Sequence, residues 1–332
     1  MRSTIDTMRP FDAHQKVLQA RKKCGVDFYK EHCRNFIDIS CPACGSGGKD
    51  EFIKYGFHHK RCQECLTLFC SPRPTDAELF QYYNNYDAPK YWTELLLSTD
   101  VQRKALQYKP RVKKIVHFLR DKIQANTGIA ADIGAGSGAF ALALKETWFF
   151  KKVLAFDFAE DCVRACVKRG IEAYRGSLED MPEGSVNLLT MNDLIEHLSD
   201  PLSFLRKCYS TLLPNGFIEI ATPNGEGFDF KILKENTVNI TPPEHLNYFN
   251  PTSIRILLKR AGFSILRVET PGILDTQIVM RELQQNAAEL RIKNEFIHYI
   301  LYETNSDVIQ SFQRFLQENL LSSHMLIFAE KV

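Results

Sequence analysis

Residues 129–157 read IAADIGAGSGAFALALKETWFFKKVLAFD: an apolar run, an acid, three glycines on alternate positions, a helical stretch, a second apolar run and a second acid. Ile129 to Ile133 is predicted as a buried strand and Phe140 to Thr147 as part of a helix near 138–147. Gly134, Gly136 and Gly138 between them have no Cβ, so the backbone can turn sharply and approach a ligand closely. The spacing Asp132-x-Gly134-x-Gly136-x-Gly138 departs from the Gly-x-Gly-x-x-Gly pattern that seats a pyrophosphate on a helix N-terminus, which favours a ligand without phosphates in this turn. Asp157 closes the next strand (Lys152 to Phe156), where a carboxylate can accept both hydroxyls of a ribose.

The chain continues through residues 175–224 as RGSLEDMPEGSVNLLTMNDLIEHLSDPLSFLRKCYSTLLPNGFIEIATPN. A strand Val186 to Met191 runs into Asn192-Asp193 and Glu196-His197, and Leu213-Pro214-Asn215-Gly216 precedes a strand ending in Thr222-Pro223-Asn224. With the glycine turn and Asp157, these marks in register make the chain resemble the class I S-adenosylmethionine-dependent methyltransferases, on the branch that includes ubiquinone-biosynthesis-like O-methyltransferases. The resemblance covers roughly Tyr108 to Thr270.

It implies a Rossmann-like α/β sheet, mostly parallel, with the last strand antiparallel. It implies S-adenosyl-L-methionine as cofactor, with Asp132 and the backbone of Gly134, Gly136 and Gly138 facing the donor's amino-acid part, Asp157 its ribose, and Ser177 with Leu178 its adenine. Many relatives carry an acid where Ser177 stands, so this chain departs from the pattern at the adenine. Asn192 and Asp193, at the carboxyl end of the fourth strand, are expected near the methyl group, where ligands collect in open α/β sheets.

Outward from this core, length and composition set limits. The 332 residues are 44% hydrophobic, enough for one large α/β domain plus a small module. No apolar run approaches the roughly 20 residues needed to cross a bilayer, and the opening MRSTIDTMRPFDAHQK lacks an apolar signal segment, so a cytoplasmic protein without membrane contact is expected. Ten cysteines in that setting argue for thiols and metal ligands over disulfides. The net charge is only +2, with the basic excess in the N-terminal part, at Arg21-Lys22-Lys23 and His58-His59-Lys60-Arg61. That is less than a dedicated nucleic-acid binder usually shows.

In that N-terminal part, Cys41-Pro42-Ala43-Cys44 and Cys62-Gln63-Glu64-Cys65 are separated by seventeen residues, a spacing read as a tetrahedral zinc site built from two knuckles of a ribbon. Four thiolates leave no open coordination position, so the Zn2+ would be structural. A helix from Phe11 to Phe36 precedes the site, and a strand from Glu51 to Phe57 lies within it. Ser71-Pro72-Arg73-Pro74 breaks the chain, after which Thr75-Asp76-Ala77-Glu78 is a capping box opening a helix through Tyr83. The order of knuckle pair, proline link and helix also resembles the N-terminal region of many sugar and small-molecule methyltransferases.

Three regions are expected: residues 1–74 as an N-terminal helix and zinc ribbon, 75–127 as a helical linker, and 128–332 as the methyltransferase domain with a helical insertion at 275–320. A helix from about Asp100 to Ile123 should bend at Pro110. Strands near 129–133, 152–156, 171–174, 186–191 and 216–222 alternate with helices near 138–147, 160–169 and 200–212, the pattern of a parallel sheet. A helix Thr252 to Ala261, a strand Ser264 to Glu269 and a last strand Met325 to Glu330 complete the reading.

Two constellations carry further chemistry. Asp193-x-x-Glu196-His197, on the first turn after a strand, could coordinate a divalent ion, orient an acceptor, supply a general base, or simply brace a helix start. Pro242-Pro243-Glu244-His245-Leu246-Asn247-Tyr248-Phe249 would cover the cleft, and His245 and Tyr248 could reach an acceptor. His197 and His245 are therefore the candidate catalytic bases. The expected activity is methyl transfer to a small polar metabolite, with an oxygen of a sugar or nucleotide-sugar ahead of nitrogen. An RNA methyltransferase using the basic zinc module, and a non-catalytic cofactor-binding or partner-docking protein, are the alternatives.

Overall fold

The computed structural model describes residues 4–179, 181–285 and 295–332. Strands are numbered in chain order: β1 Gly48–Lys54, β2 Phe57–Cys62, β3 Leu68–Cys70, β4 Thr127–Ile133, β5 Phe150–Asp157, β6 Glu172–Arg175, β7 Val186–Asn192, β8 Leu212–Pro223, β9 Asn247–Tyr248, β10 Phe263–Glu269 and β11 His324–Lys331. Seven of them form one sheet in the order β10-β11-β8-β7-β4-β5-β6. The pairs β4–β5, β4–β7, β5–β6 and β7–β8 are parallel, and β11 runs antiparallel to both of its neighbours. The order reverses between β4 and β7, so a crevice opens at the carboxyl ends of the strands, where the glycine turn and Asn192-Asp193 both lie.

Helices cover both faces because the central strands are apolar throughout: Ala130, Ala131, Leu188, Leu189, Ile218 and Ile220 are all wholly buried. Helices Ala139–Lys145, Glu160–Lys168, Pro201–Thr211 and Pro251–Arg260 match their sequence expectations within a residue or two at most ends. The helix expected over 100–123 is interrupted by a π turn at Lys104–Tyr108, and Pro110 then opens helix Lys109–Leu119. Proline lacks the N–H that a continuous helix would need there, and the wide turn absorbs the loss without a simple bend. Helix Asp87–Ser98 was not foreseen. Of the predicted helical insertion, residues 286–294 lie outside the described residues; the rest forms helices Asp275–Gln285, Glu295–His298 and Ser306–Glu318 with a π turn at Tyr299–Glu303.

The second sheet, β1-β2-β3-β9, joins the N-terminal part to the larger domain. β1 and β2 form a hairpin through Tyr55 and Gly56, both at positive φ (55° and 93°), as a two-residue turn of right-handed twist requires. Its fourth strand, β9, comes from the loop after β8. Arg73, wholly buried, rivets the two parts: it donates to the carbonyls of Cys70 (3.0 Å), Ser199 (3.1 Å) and Leu246 (3.3 Å) and to Asn247 Oδ1 (2.9 Å). Cys41, Cys62, Cys65 and Phe69 share one apolar core with Phe249, Ile254, Leu257 and the strands behind them. Among the described residues no helix is long and apolar enough to cross a membrane.

Candidate functional site

The crevice is the mouth of a cavity of about 2510 Å³. Ligand pockets are commonly about 300–1,000 Å³, so this one has room for a donor and an acceptor together. Asp132, Gly134, Gly136, Asp157, Ser177, Asn192, Asp193, His197 and His245 all line it. Leu178 and Gly138 do not. Leu178 is wholly buried in the main core, and Gly138 sits under helix Glu160–Lys168, where a Cβ would lie 2.7 Å from Cys166 Sγ. Its φ of +76° and that contact both demand glycine.

On the donor side, the Asp157 carboxylate accepts the N–H of Gly136 (2.8 Å) and of Ala159 (2.8 Å). A carboxylate has about four acceptor positions, so two remain toward the cleft, in the place expected for a ribose diol. Burial raises its pKa and the backbone bonds only partly oppose this. Asp132, 1% exposed, accepts the Thr190 hydroxyl at 2.7 Å, and burial lifts it to about 7 against that bond. Arg111 donates to Asn192 Oδ1, Asn192 Nδ2 is buried beside Asp132, whose pKa it lowers, without a well-aligned hydrogen bond, and Ser177 Oγ is buried with no partner. Two unmet polar atoms facing one cavity are what a bound amino-acid carboxylate and an adenine would satisfy, so the residues present fit S-adenosylmethionine.

On the acceptor side, the turn bearing Glu196 and His197 is held against the 242–249 segment. The Leu246 N–H donates to Glu196 O (2.8 Å), and Asn247 Nδ2 reaches Leu198 O (2.7 Å) and the carbonyls of Ile195 and Glu196 (3.4 Å each). This brings His197 and His245 edge to face with ring centroids 4.6 Å apart. His245 Nδ1 is 2.7 Å from Asn239 O. A carbonyl only accepts, so Nδ1 carries the hydrogen and the Nε2 lone pair is the basic one. Burial, then the His197 charge, pushes His245 well below 6.5; burial lowers His197 too. His197 Nδ1 meets the Tyr83 hydroxyl at 2.8 Å. Tyr248, expected to reach an acceptor, is wholly buried and donates to the His245 carbonyl at 2.9 Å, a bracing role.

The trio Asp193, Glu196 and His197, read as a candidate divalent-ion site, is not the set the structure gathers. Asp193 Oδ1 is instead 3.1 Å from His324 Nε2; burial would raise its pKa, but the His324 bond and charge, with Arg111 and Arg103, hold it well below the carboxylate range. The ligand atoms of Glu196, His197 and His245 lie within 4.8 Å of one another. Glu196 is 1% exposed, accepts the Thr222 hydroxyl (2.8 Å), and is pushed well above its ordinary pKa by burial and by Asp193.

The four expected knuckle cysteines do converge, their sulfurs within 4.8 Å of one another, with Cys41 to Cys65 at 3.5 Å and Cys44 to Cys62 at 3.4 Å. Zinc bound at about 2.3 Å in a tetrahedron separates its sulfurs by roughly 3.8 Å, so the set is close to the size such an ion needs. The hydrogen bond between Cys41 and Cys65 lowers the pKa of Cys41 and raises that of Cys65, as one proton shared by two sulfurs does.

Sequence reasoning gave no role to Tyr83, Arg9, His14, Arg103, Arg111 or His324. All six line the cleft, and only Tyr83, at the end of the capping-box helix, lies in a pattern the sequence singles out. Only the fold brings them there.

A seven-stranded sheet of this order, with a glycine turn and an acid at the tips of β4 and β5, defines a class I donor-binding domain. The comparisons agree: residues 103–268, half of the chain, match the family model described as a methyltransferase domain. The chain belongs to that family, among the S-adenosylmethionine-dependent methyltransferases. A Mycolicibacterium smegmatis protein named "Probable S-adenosylmethionine-dependent methyltransferase" is 29% identical over 142 residues, 41% of this chain and 51% of its own length. The ubiquinone biosynthesis O-methyltransferase of Xanthomonas euvesicatoria is 25% identical over 202 residues, 56% of this chain and 80% of its own. A solved S-adenosylmethionine-dependent methyltransferase of Archaeoglobus fulgidus is 20% identical, covers 66% of this chain and 94% of that one, and has a TM-score of 0.42. The chain spans about half the length of the mycobacterial relatives it matches.

Proposed function

We propose that this chain transfers the methyl group of S-adenosylmethionine to an oxygen of a small polar metabolite, of the sugar or nucleotide-sugar class. The donor supplies an activated methyl on a sulfonium, and the reaction is an in-line displacement in which a hydroxyl oxygen takes the methyl and loses its proton. The observation that carries the reading is the His245 imidazole: tautomer fixed by Asn239 O, kept neutral by burial, Nε2 free, and set against His197 in a cleft shared with Asp157 and the glycine turn.

In this reading the protein's work is mostly positioning. Asp157 and the backbone about Gly136 fix the ribose, Asn192 and Ser177 take the donor's ends, and Asp193, held ionised by His324, faces the methyl region. His245 receives the acceptor's proton, and Tyr83 sets the ring of His197 beside it. The four cysteines would hold a structural zinc ion, which fixes the knuckles against helix Pro251–Arg260. There Arg260 donates to Ala43 O (2.7 Å), and Asn250 Nδ2, at the helix N-cap, donates to Cys65 O (2.9 Å).

The test is S-adenosylhomocysteine release over a panel of sugars, nucleotide-sugars and amines, with the product characterised by mass spectrometry. A methyl ether is expected. Turnover on amines alone would replace oxygen by nitrogen, and donor binding without turnover on any member would favour a binding protein.

A further inference from the structure

The cleft wall opposite the strand tips is built by the N-terminal helices, and its cations are unequally matched. Arg21 pairs with Glu244 at 2.6 Å and Arg281 with Asp6 at 2.5 Å. Arg103, 6% exposed, meets only neutral oxygens: its Nε donates to Thr99 Oγ1 (2.9 Å) and its Nη2 to Met8 O (3.1 Å). Arg9 has no carboxylate within ion-pair distance among the described residues and is partly buried in the same cavity. Beside them His14 is 3% exposed, and its Nδ1 has no hydrogen-bond partner. Burial, then the charges of Arg9, Arg21, Arg281 and Arg103, lower the pKa of His14, and burial, then Arg103, lowers Arg9 to about 10 against the opposing charges of Asp193 and Asp229. Asp193 acts on both Arg9 and Arg103 from across the cleft, but among the described residues neither guanidinium has a carboxylate within ion-pair distance, and one buried hydrogen-bonding atom of His14 is unmet. An unpaired buried charge is costly, and a protein retains one where a ligand neutralises it.

We propose that Arg9, Arg103 and His14 form a dianion subsite that holds a phosphoryl group carried by the methyl acceptor. Guanidinium forks match phosphoryl oxygens in bidentate fashion, and a neutral imidazole N–H can donate to a third oxygen. Two guanidinium groups without a direct carboxylate partner offer a phosphoryl group more donors than a single carboxylate can use. The subsite rests on the methyl-transfer reading and narrows its substrate class to phosphorylated or nucleotide-linked polyols.

The chain carries its own reporter. Arg21 and Arg103 lie 4.7 and 5.6 Å from the Trp92 ring, and the only other tryptophan, Trp148, is 77% exposed. In a Trp148→Phe background, inorganic phosphate is titrated at constant ionic strength, with and without saturating S-adenosylhomocysteine, and malonate serves as the dicarboxylate arm. The subsite predicts a saturable change in Trp92 fluorescence that persists with S-adenosylhomocysteine bound. Arg9→Gln should weaken phosphate about tenfold, as loss of a charge-assisted contact implies, and leave S-adenosylhomocysteine binding at the parent value.

Identical phosphate curves for Arg9→Gln and its parent would overturn the subsite, as would a preference for malonate. Competition between phosphate and S-adenosylhomocysteine, with Arg9→Gln weakening the latter, would assign these arginines to the donor instead. Failure of the parent to bind S-adenosylhomocysteine would sink the methyl-transfer reading, while the phosphate curve would still decide the subsite.

Discussion

Asp157 offers the sharpest quantitative test. Its carboxylate accepts two backbone N–H groups at 2.8 Å and is proposed to turn its two remaining acceptor positions to the donor's ribose. Hydrogen bonds to a charged group are worth about 1.5–3 kcal/mol each, so Asp157→Ala should cost about 3 kcal/mol of donor affinity, roughly a hundredfold in Kd. Asp157→Asn retains one acceptor oxygen and should lose less, about tenfold. Stability should move differently. Burial raises the pKa of Asp157 in the folded state, so the folded chain binds this proton more tightly than the unfolded one. The contribution to stability is then present at low pH and lost as pH rises through the folded pKa, which means the ionised carboxylate costs stability near neutrality. Asp157→Asn removes that ionisation cost but turns its Nδ2 donor toward one of the two backbone N–H groups, so its stability should vary less with pH than the parent's while S-adenosylhomocysteine binds more weakly. Calorimetric titration with scanning calorimetry on the same samples reads both. Affinity within threefold of the parent in a folded Asp157→Ala would refute the ribose assignment.

Other outcomes follow from the same geometry. His245→Gln should lower the maximal rate on an oxygen acceptor by about 10²–10⁴ and leave S-adenosylhomocysteine affinity intact; an unchanged rate and pH profile would mean positioning alone suffices. Gly138→Ala should destabilise by about 2–4 kcal/mol in urea unfolding, since it combines a positive φ with a Cβ 2.7 Å from Cys166 Sγ; a cost below about 0.5 kcal/mol would contradict the close packing read there. His14 and His59 are lowered to about 2 and about 3 by burial. Only the unfolded chain takes up these protons near pH 6.5, so stability should fall as pH drops from there toward 3, with a shallower slope in His14→Gln. Elemental analysis should find one zinc per chain, and chelation should lower a single melting transition, because the cysteines share the core of the larger domain; a separate low-temperature transition would argue for an independent module.

What the sequence disclosed and what it withheld divide along the range of the interactions. The glycine turn, Asp157 and the knuckle cysteines were legible because each depends on backbone conformations a few residues apart. The Thr75 capping box was also readable, and Thr75 N does meet Glu78 Oε2 at 2.8 Å. The His197–His245 pair was named as two separate candidates, since their meeting depends on Asn247 reaching across to the carbonyl of Leu198. Asp193 was grouped with Glu196 by spacing, yet His324, 131 residues on, captures its carboxylate from β11, the antiparallel strand beyond β8. Leu178 stands beside Ser177 in the chain, but the bend after β6 turns it into the core while Ser177 stays at the cleft. Arg9 and His14 lie on or next to helices whose charges gave no pattern; only packing over the cleft makes them a cluster.

The central claim is that the cleft moves a methyl group from the donor to a polar metabolite. The most direct measurement incubates the purified chain with methyl-labelled S-adenosylmethionine and a small-molecule extract, then separates donor from products by chromatography and mass spectrometry. The account predicts label in a polar, low-mass, phosphoryl-bearing product, released with an equal amount of S-adenosylhomocysteine and strongly reduced with Asp157→Ala at limiting donor. Label that stays on the donor, while calorimetry shows the donor bound to folded protein, would contradict it.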